Sequence, residues 1–204
     1  MPIAKSSIAD SVQAAVTKDA VGAESTGLGG FYTMTCFDKD GNLKWEEKFH
    51  NLVVDAGTTN LVNVYFKSGG ATASWYLGLV SGASAPTYDH TDTMPSHAGW
   101  TELNAGTTYS GSVRPTCSFN ASPTITGPST SPVAGLYSAT LSNSSSPAVF
   151  SIIATAVVAG AFLNSQPTGT SGTLFSAGSF TGGNKNVAAG DTVNVTYTFN
   201  AQGA

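Results

Sequence analysis

Charge is the scarcest property of this 204-residue chain. Only 10% of its residues are Asp, Glu, Lys or Arg, against about a quarter in an ordinary globular protein. Eight basic residues stand against twelve acidic ones, for a net charge of −4, and no basic stripe runs along the chain. Affinity for nucleic acid comes mainly from Lys and Arg on phosphates, so no nucleic-acid partner is expected. Cysteine is nearly missing too. Cys36 and Cys117 are the only two, too few for a disulfide framework. Two unpaired thiols in a reducing cytosol are the expectation, with a Cys36–Cys117 bridge as the alternative.

Long apolar runs are also lacking. Nothing approaches the roughly 18 residues of a membrane-spanning helix, so no membrane partner is expected. Met1-Pro2-Ile3-Ala4-Lys5-Ser6-Ser7 carries no apolar core of a secretory signal. Exit from a cell would then need another route, such as lysis. Catalytic motifs are missing as well. Gly169-Thr170-Ser171-Gly172 is not a Gly-x-Ser-x-Gly elbow, and no Gly-Lys-Ser/Thr phosphate loop occurs. The three histidines, His50, His90 and His97, form no His-Glu-x-x-His, and no Cys pair has metal spacing. Asp38-Lys39-Asp40-Gly41 places its Gly fourth, where a calcium loop needs it sixth. No catalytic, cofactor or metal residues are assigned.

What fills the chain instead is Ser, Thr, Gly, Ala and Asn. These side chains hydrogen-bond without charge and lose little rotamer entropy, which suits β-structure packed against a neighbour. Residues 1–30 stand apart as an arm and linker. Ile8, Val12, Ala15 and Val16 follow helical spacing and predict a short amphipathic helix to about Val21, and a lone helix of this length needs a surface to dock on. A frayed terminus and an arm that docks on a neighbouring subunit both fit this composition. Residues 22–30 read as a flexible linker.

From residue 31 the pattern is all-β. Phe31 to Phe37, a turn at Asp38 to Asn42, and the alternation of Leu43, Trp45, Glu47 and Phe49 predict a hairpin. Asp55 and Thr58 are candidate caps for a short helix near 56–66; the β-branched content leaves a strand open there. Trp75 to Val80 reads as a core strand. Later strands are expected at Thr108–Val113, Cys117–Asn120, Ala134–Leu141, Ala148–Ala159, Phe162–Asn164, Gly172–Phe180 and Thr192–Asn200. Ile152 to Ala159 lacks alternation and reads as a central strand buried on both faces. In the last strand Val193, Val195, Tyr197 and Phe199 alternate with Thr and Asn. The expected fold is a β-sandwich, jelly-roll or Ig-like, over residues 31–204.

The long loop after Val80 gathers unusual chemistry. Asp89-His90-Thr91-Asp92, with His97 downstream, is the best candidate for metal or proton chemistry, set against a polar loop whose Asp and Thr cap local turns. Glu102 is a possible partner for Asp89 or Asp92 across the loop. Trp75, Tyr76, Tyr88, Trp100 and Tyr109 are a possible carbohydrate platform, although aromatics in β-proteins are mostly core. Trp100 is expected to plug the loop onto the sandwich beside a hydrogen-bonded His97. Pro86, Thr87, Tyr88, Asp89, His90 and Asp92 are left as an exposed contact surface, and Ile8, Val12 and Val16 as arm contacts.

Three segments carry a resemblance. They are Tyr76-Leu77-Gly78-Leu79-Val80, Asp92-Thr93-Met94-Pro95-Ser96-His97-Ala98-Gly99-Trp100-Thr101-Glu102, and Tyr109-Ser110-Gly111-Ser112-Val113-Arg114-Pro115. Together they resemble a family of small structural proteins of tailed bacteriophages, which share Y-x-G-L-[IV], D-T-M-x-S-H-x-G-W-T-E and Y-x-x-x-R-P segments. This chain has one extra residue in the third. The resemblance covers roughly residues 30–200 and leaves out the arm. It implies a virion component, assembled in the host cytoplasm, with no catalytic residues. A capsid decoration or cement protein is the expectation, with the major capsid protein and further copies of itself as partners. A tail, neck or fibre-base protein is the alternative, and a carbohydrate-binding module on the virion is an alternative of another class.

Overall fold

The computed structural model describes residues 27–126, except 68, 71 and 73, and residues 137–203. The arm helix expected over Ile8 to Val21 lies outside them. The strands are β1 (Gly27–Phe37), β2 (Leu43–His50), β3 (Leu52–Val53), β4 (Tyr76–Ser81), β5 (Glu102–Leu103) and β6 (Thr124–Thr126). After these come β7 (Tyr137–Ser142), β8 (Ala148–Ser151), β9 (Ala156–Asn164), β10 (Leu174–Ser179), β11 (Lys185–Val187) and β12 (Thr192–Gly203). Among the described residues there is one helix, α1 (Asp55–Phe66), after β3.

Two antiparallel sheets result. The first runs β2-β1-β12-β7-β6, with β8 also on β12; the second runs β3-β10-β9-β4-β5, with β11 also on β9. This is an all-β sandwich. Its main core lies between the sheets, with Tyr32, Met34, Phe150, Val193, Val195 and Tyr197 from the first sheet. Leu77, Leu79, Val158, Ala161, Leu163 and Phe175 come from the second. β12 alternates as its sequence requires, with Val193, Val195 and Tyr197 buried and Thr192, Asn194 and Thr196 half-exposed. The hairpin turn is closed by Asp38, whose Oδ1 accepts the amides of Asp40 and Asn42 at 2.9 and 2.8 Å.

A second, smaller core lies on the outer side of the second sheet. Val54, Val80, Met94, Trp100, Phe162 and Leu174 pack there. β4 and β9 are therefore buried on both faces, because the loop after β4 folds back over them. At Gly78 a Cβ would sit 2.2 Å from Cζ of Phe162; only glycine lets that ring lie across the strand.

Several strand expectations are corrected. The run from Ala148 to Ala159 is two strands in different sheets. β8 pairs with β12, and the chain crosses at Ile152–Thr155 before β9 pairs with β4 and β10. Ile152 is buried, but Ile153 is 48% exposed at this corner. Phe162–Asn164 is not a separate strand but the end of β9. Thr108–Val113 and Cys117–Asn120 are not strands. Their backbones make only isolated bridges in or beside them, Tyr109 to Ala105 and to Ile152, and Thr116 to Tyr76. Gly27 to Gly30 belong to β1, paired with Gln202 to Phe199, so the sheet starts within the expected linker. α1 forms where a helix was expected, but neither Asp55 nor Thr58 caps it. Val54 is the N-cap and offers no side-chain bond.

Between β7 and β8 both strands follow one edge of β12, and Asn143 fills the gap. Its Oδ1 accepts the Tyr197 amide at 2.7 Å and its Nδ2 donates to the Val195 carbonyl at 3.2 Å. One side chain thus continues the ladder where the strands break.

Candidate functional site

The loop from Gly82 to Thr101 is the site to which the sequence points. Its anchor is Trp100, 3% exposed. The indole packs on Phe162 with ring centroids 5.1 Å apart. The His97 ring stacks on it at 3.8 Å and 19°. The Trp100 Nε1–H donates to Asp92 Oδ2 at 3.1 Å, and the Asp89 amide donates to the same oxygen at 3.2 Å. His97 Nδ1 lies 3.1 Å from the Trp100 carbonyl. Thr93 and Ser96 exchange both backbone bonds, at 2.9 and 3.0 Å. The plug and its hydrogen-bonded histidine are as expected.

Gly99 closes the loop. The Thr87 amide donates to its carbonyl at 2.9 Å, and a Cβ on Gly99 would lie 2.2 Å from the Thr87 carbonyl oxygen. The contact requires a residue with no side chain.

Glu102 meets neither Asp89 nor Asp92; it clamps Arg114. Its two oxygens accept from Nε and Nη2 at 2.7 and 2.6 Å. The remaining guanidinium bonds reach the carbonyls of Gln166 at 2.9 Å and Gly169 at 2.6 Å. Arg114 is buried, so these acceptors replace its lost water. The pair joins the segment ending at Glu102 to the segment Tyr109–Pro115. Neither segment alone signals it, because the partners lie twelve residues apart across irregular chain.

Asp92 belongs to the interior rather than to the expected contact surface. It is buried because the indole N–H needs a buried acceptor. Tyr88 is half-buried beside Trp100, and burial pushes its phenol up. Thr87, Asp89, His90 and Thr91 are exposed and Pro86 half-exposed. Asp89 Oδ1 accepts from the Thr91 amide and hydroxyl at 2.8 and 2.7 Å, which holds its carboxyl below the ordinary range. His90 Nδ1 lies 3.0 Å from Asp55 Oδ2, and the Asp55 amide donates to the His90 carbonyl at 2.8 Å. The loop tip is thereby pinned to the start of α1. The hydrogen bond to Asp55 raises the His90 pKa.

The chain matches no known protein family, no curated protein and no solved structure.

The chemistry of the remaining candidates follows from burial. Cys36 and Cys117 are both free and buried. Burial, then the charge of Asp191, pushes the Cys36 thiol up to about 11; burial pushes Cys117 up to about 12. Both stay protonated and unreactive at neutral pH. Among the described residues, no three His, Cys, Asp or Glu side chains gather as a metal site. The five aromatics do not form an outward platform. Trp100 and Tyr109 are buried, Trp75 packs against the main core, and Tyr76 and Tyr88 are half-buried. Burial follows from where they stand, on or against the core strands.

Sequence reasoning missed an apolar groove beside α1. It has a volume of about 270 Å³ and is lined by Leu61, Val64, Trp75, Phe119, Phe175 and Phe199, among others. Tyr65 and Phe66 stand at the end of the helix, 81% and 79% exposed. Their adjacency just before Ser68-Gly69-Gly70 was the available signal, since two neighbouring aromatics on a helix cannot both face its packed side.

Proposed function

We propose that the chain is a structural component of a bacteriophage virion, and that it decorates the capsid. The observation that carries this reading is the outer face of the first sheet. Thr33 and Thr35 of β1 pair there with Thr196 and Asn194 of β12. All four are half-exposed and none is charged. The centre of this face is neutral, and its β2 edge carries Lys48 and Glu46, paired with Thr33 and Thr35. Interface cores are depleted in charge and their rims are polar, which suits such a face.

The loop supports the same reading. The polar groups of Asp92, His97, Trp100, Glu102 and Arg114 are engaged in internal bonds. The segments behind the phage resemblance therefore act as a brace. They hold Thr87 to Thr91 as a rigid ledge, the second contact surface. The mechanism is mechanical. Contacts across capsomer boundaries raise the free energy of separating subunits, and many copies multiply a modest affinity. The major capsid protein is the partner, with symmetric copies of the chain itself.

Electron microscopy of the particle tests the location. Copies spread over the head shell support decoration. Copies confined to the tail or neck favour the tail reading instead. No copies on the particle removes both.

A further inference from the structure

The groove beside α1 opens at one end of the sandwich. Tyr197 and Phe199 of β12, Leu141 of β7 and Trp75 just before β4 lie around it, and α1 forms one wall. The lining is mostly aromatic and aliphatic. An apolar cavity of about 150 Å³ already takes a benzene-sized group, so about 270 Å³ has room for more than one aliphatic side chain. Tyr65 and Phe66 extend the apolar surface along the helix.

β1 starts at this same end. Gly27 pairs with Gln202 and Gly30 with Phe199, and Phe199 lines the groove. Three strand residues separate the two rows, about 10 Å. The 26 residues before Gly27 therefore enter the sandwich close to the mouth of the groove. They carry Ile8, Val12 and Val16 at helical spacing, an apolar stripe that a short helix must dock to persist. The ten residues between Val16 and Gly27 span roughly 33 Å when extended, more than the path requires.

We propose that residues 1–26 fold back on their own sandwich and seat Ile8, Val12 and Val16 in the groove beside α1. The groove supplies the apolar surface the stripe lacks, and the stripe covers the side chains the groove leaves open. Docking within one chain is favoured over docking on a neighbour, because a short tether makes the encounter intramolecular at high effective concentration. The proposal does not rest on the virion reading.

The test is a photo-crosslinking residue placed at Val12 of the full chain, in an equal mixture of ¹⁴N- and ¹⁵N-labelled protein. The expected result is crosslinking to Leu61, Val64 or Phe119 within chains of one label. Crosslinks between labels, crosslinks elsewhere on the sandwich, or none, would overturn it. A second variant, Val12→Asp, alters only the arm and leaves the sandwich core intact. It should increase the fluorescence of an apolar dye several-fold and shift emission from Trp75. Unchanged dye binding would also count against the proposal.

Discussion

Glu102 and Arg114 form a two-point ion pair, at 2.7 and 2.6 Å, between segments that share no strand pairing with each other. Arg114 is 3% exposed. It also holds the carbonyls of Gln166 and Gly169. One guanidinium thus ties β5, at the edge of the second sheet, to two stretches of irregular chain.

Removing one partner of a buried pair leaves the other charge uncompensated, at a cost of about 3–5 kcal/mol. Arg114→Ala is expected to fall in that range in urea unfolding. Arg114→Lys should recover only part of it, because an ammonium cannot make the two-point fork. Glu102→Ala combined with Arg114→Ala should cost less than the sum of the single changes. An Arg114→Ala midpoint equal to that of the native chain would refute the clamp.

Trp100 and Asp92 define the loop brace. Trp100→Ala empties a buried site and should cost about 3–5 kcal/mol. Asp92→Ala leaves the indole N–H without its acceptor, at about 1–3 kcal/mol. Asp92→Asn keeps an acceptor oxygen and should cost less than Asp92→Ala. Equal losses for the two Asp92 variants would show that the Trp100–Asp92 bond does not hold the loop.

The His90–Asp55 contact is pH-dependent. Its partner raises the His90 pKa in the folded chain above the ordinary 6.5. The contact's stabilisation is therefore complete below that ordinary value and is lost as pH rises through the folded pKa. Both side chains are exposed, so the effect on global stability is small and the local effect is the one to read. NMR titration of the His90 ring should show the raised pKa in the native chain and a return toward 6.5 in Asp55→Asn. The same titration curve in both would contradict the pairing.

How much of this was legible in the sequence depends on how local each cause is. β12 could be read because Val193, Val195 and Tyr197 alternate with polar residues and one face is buried. The β1–β2 hairpin could be read from Asp38 and Gly41. Gly27 to Gly30 could not, because their pairing with Phe199 to Gln202 overrides a glycine-rich composition. The Ile152 corner was hidden for a related reason. An apolar run shared by two sheets carries no alternation to mark where the chain crosses. In the loop, the Trp100 plug and its His97 neighbour could be anticipated from adjacency. The burial of Asp92 could not, since its cause is an indole eight residues away. The Glu102–Arg114 clamp and the α1 groove arise only when distant segments meet.

The proposed role of this sandwich is to strengthen a phage head. The direct measurement is the disruption temperature of expanded capsids, with and without the purified chain at saturating concentration. Binding that prefers the intact shell must raise that temperature, and the rise should follow occupancy until the sites are filled. A capsid that comes apart at the same temperature with the chain present would contradict the account.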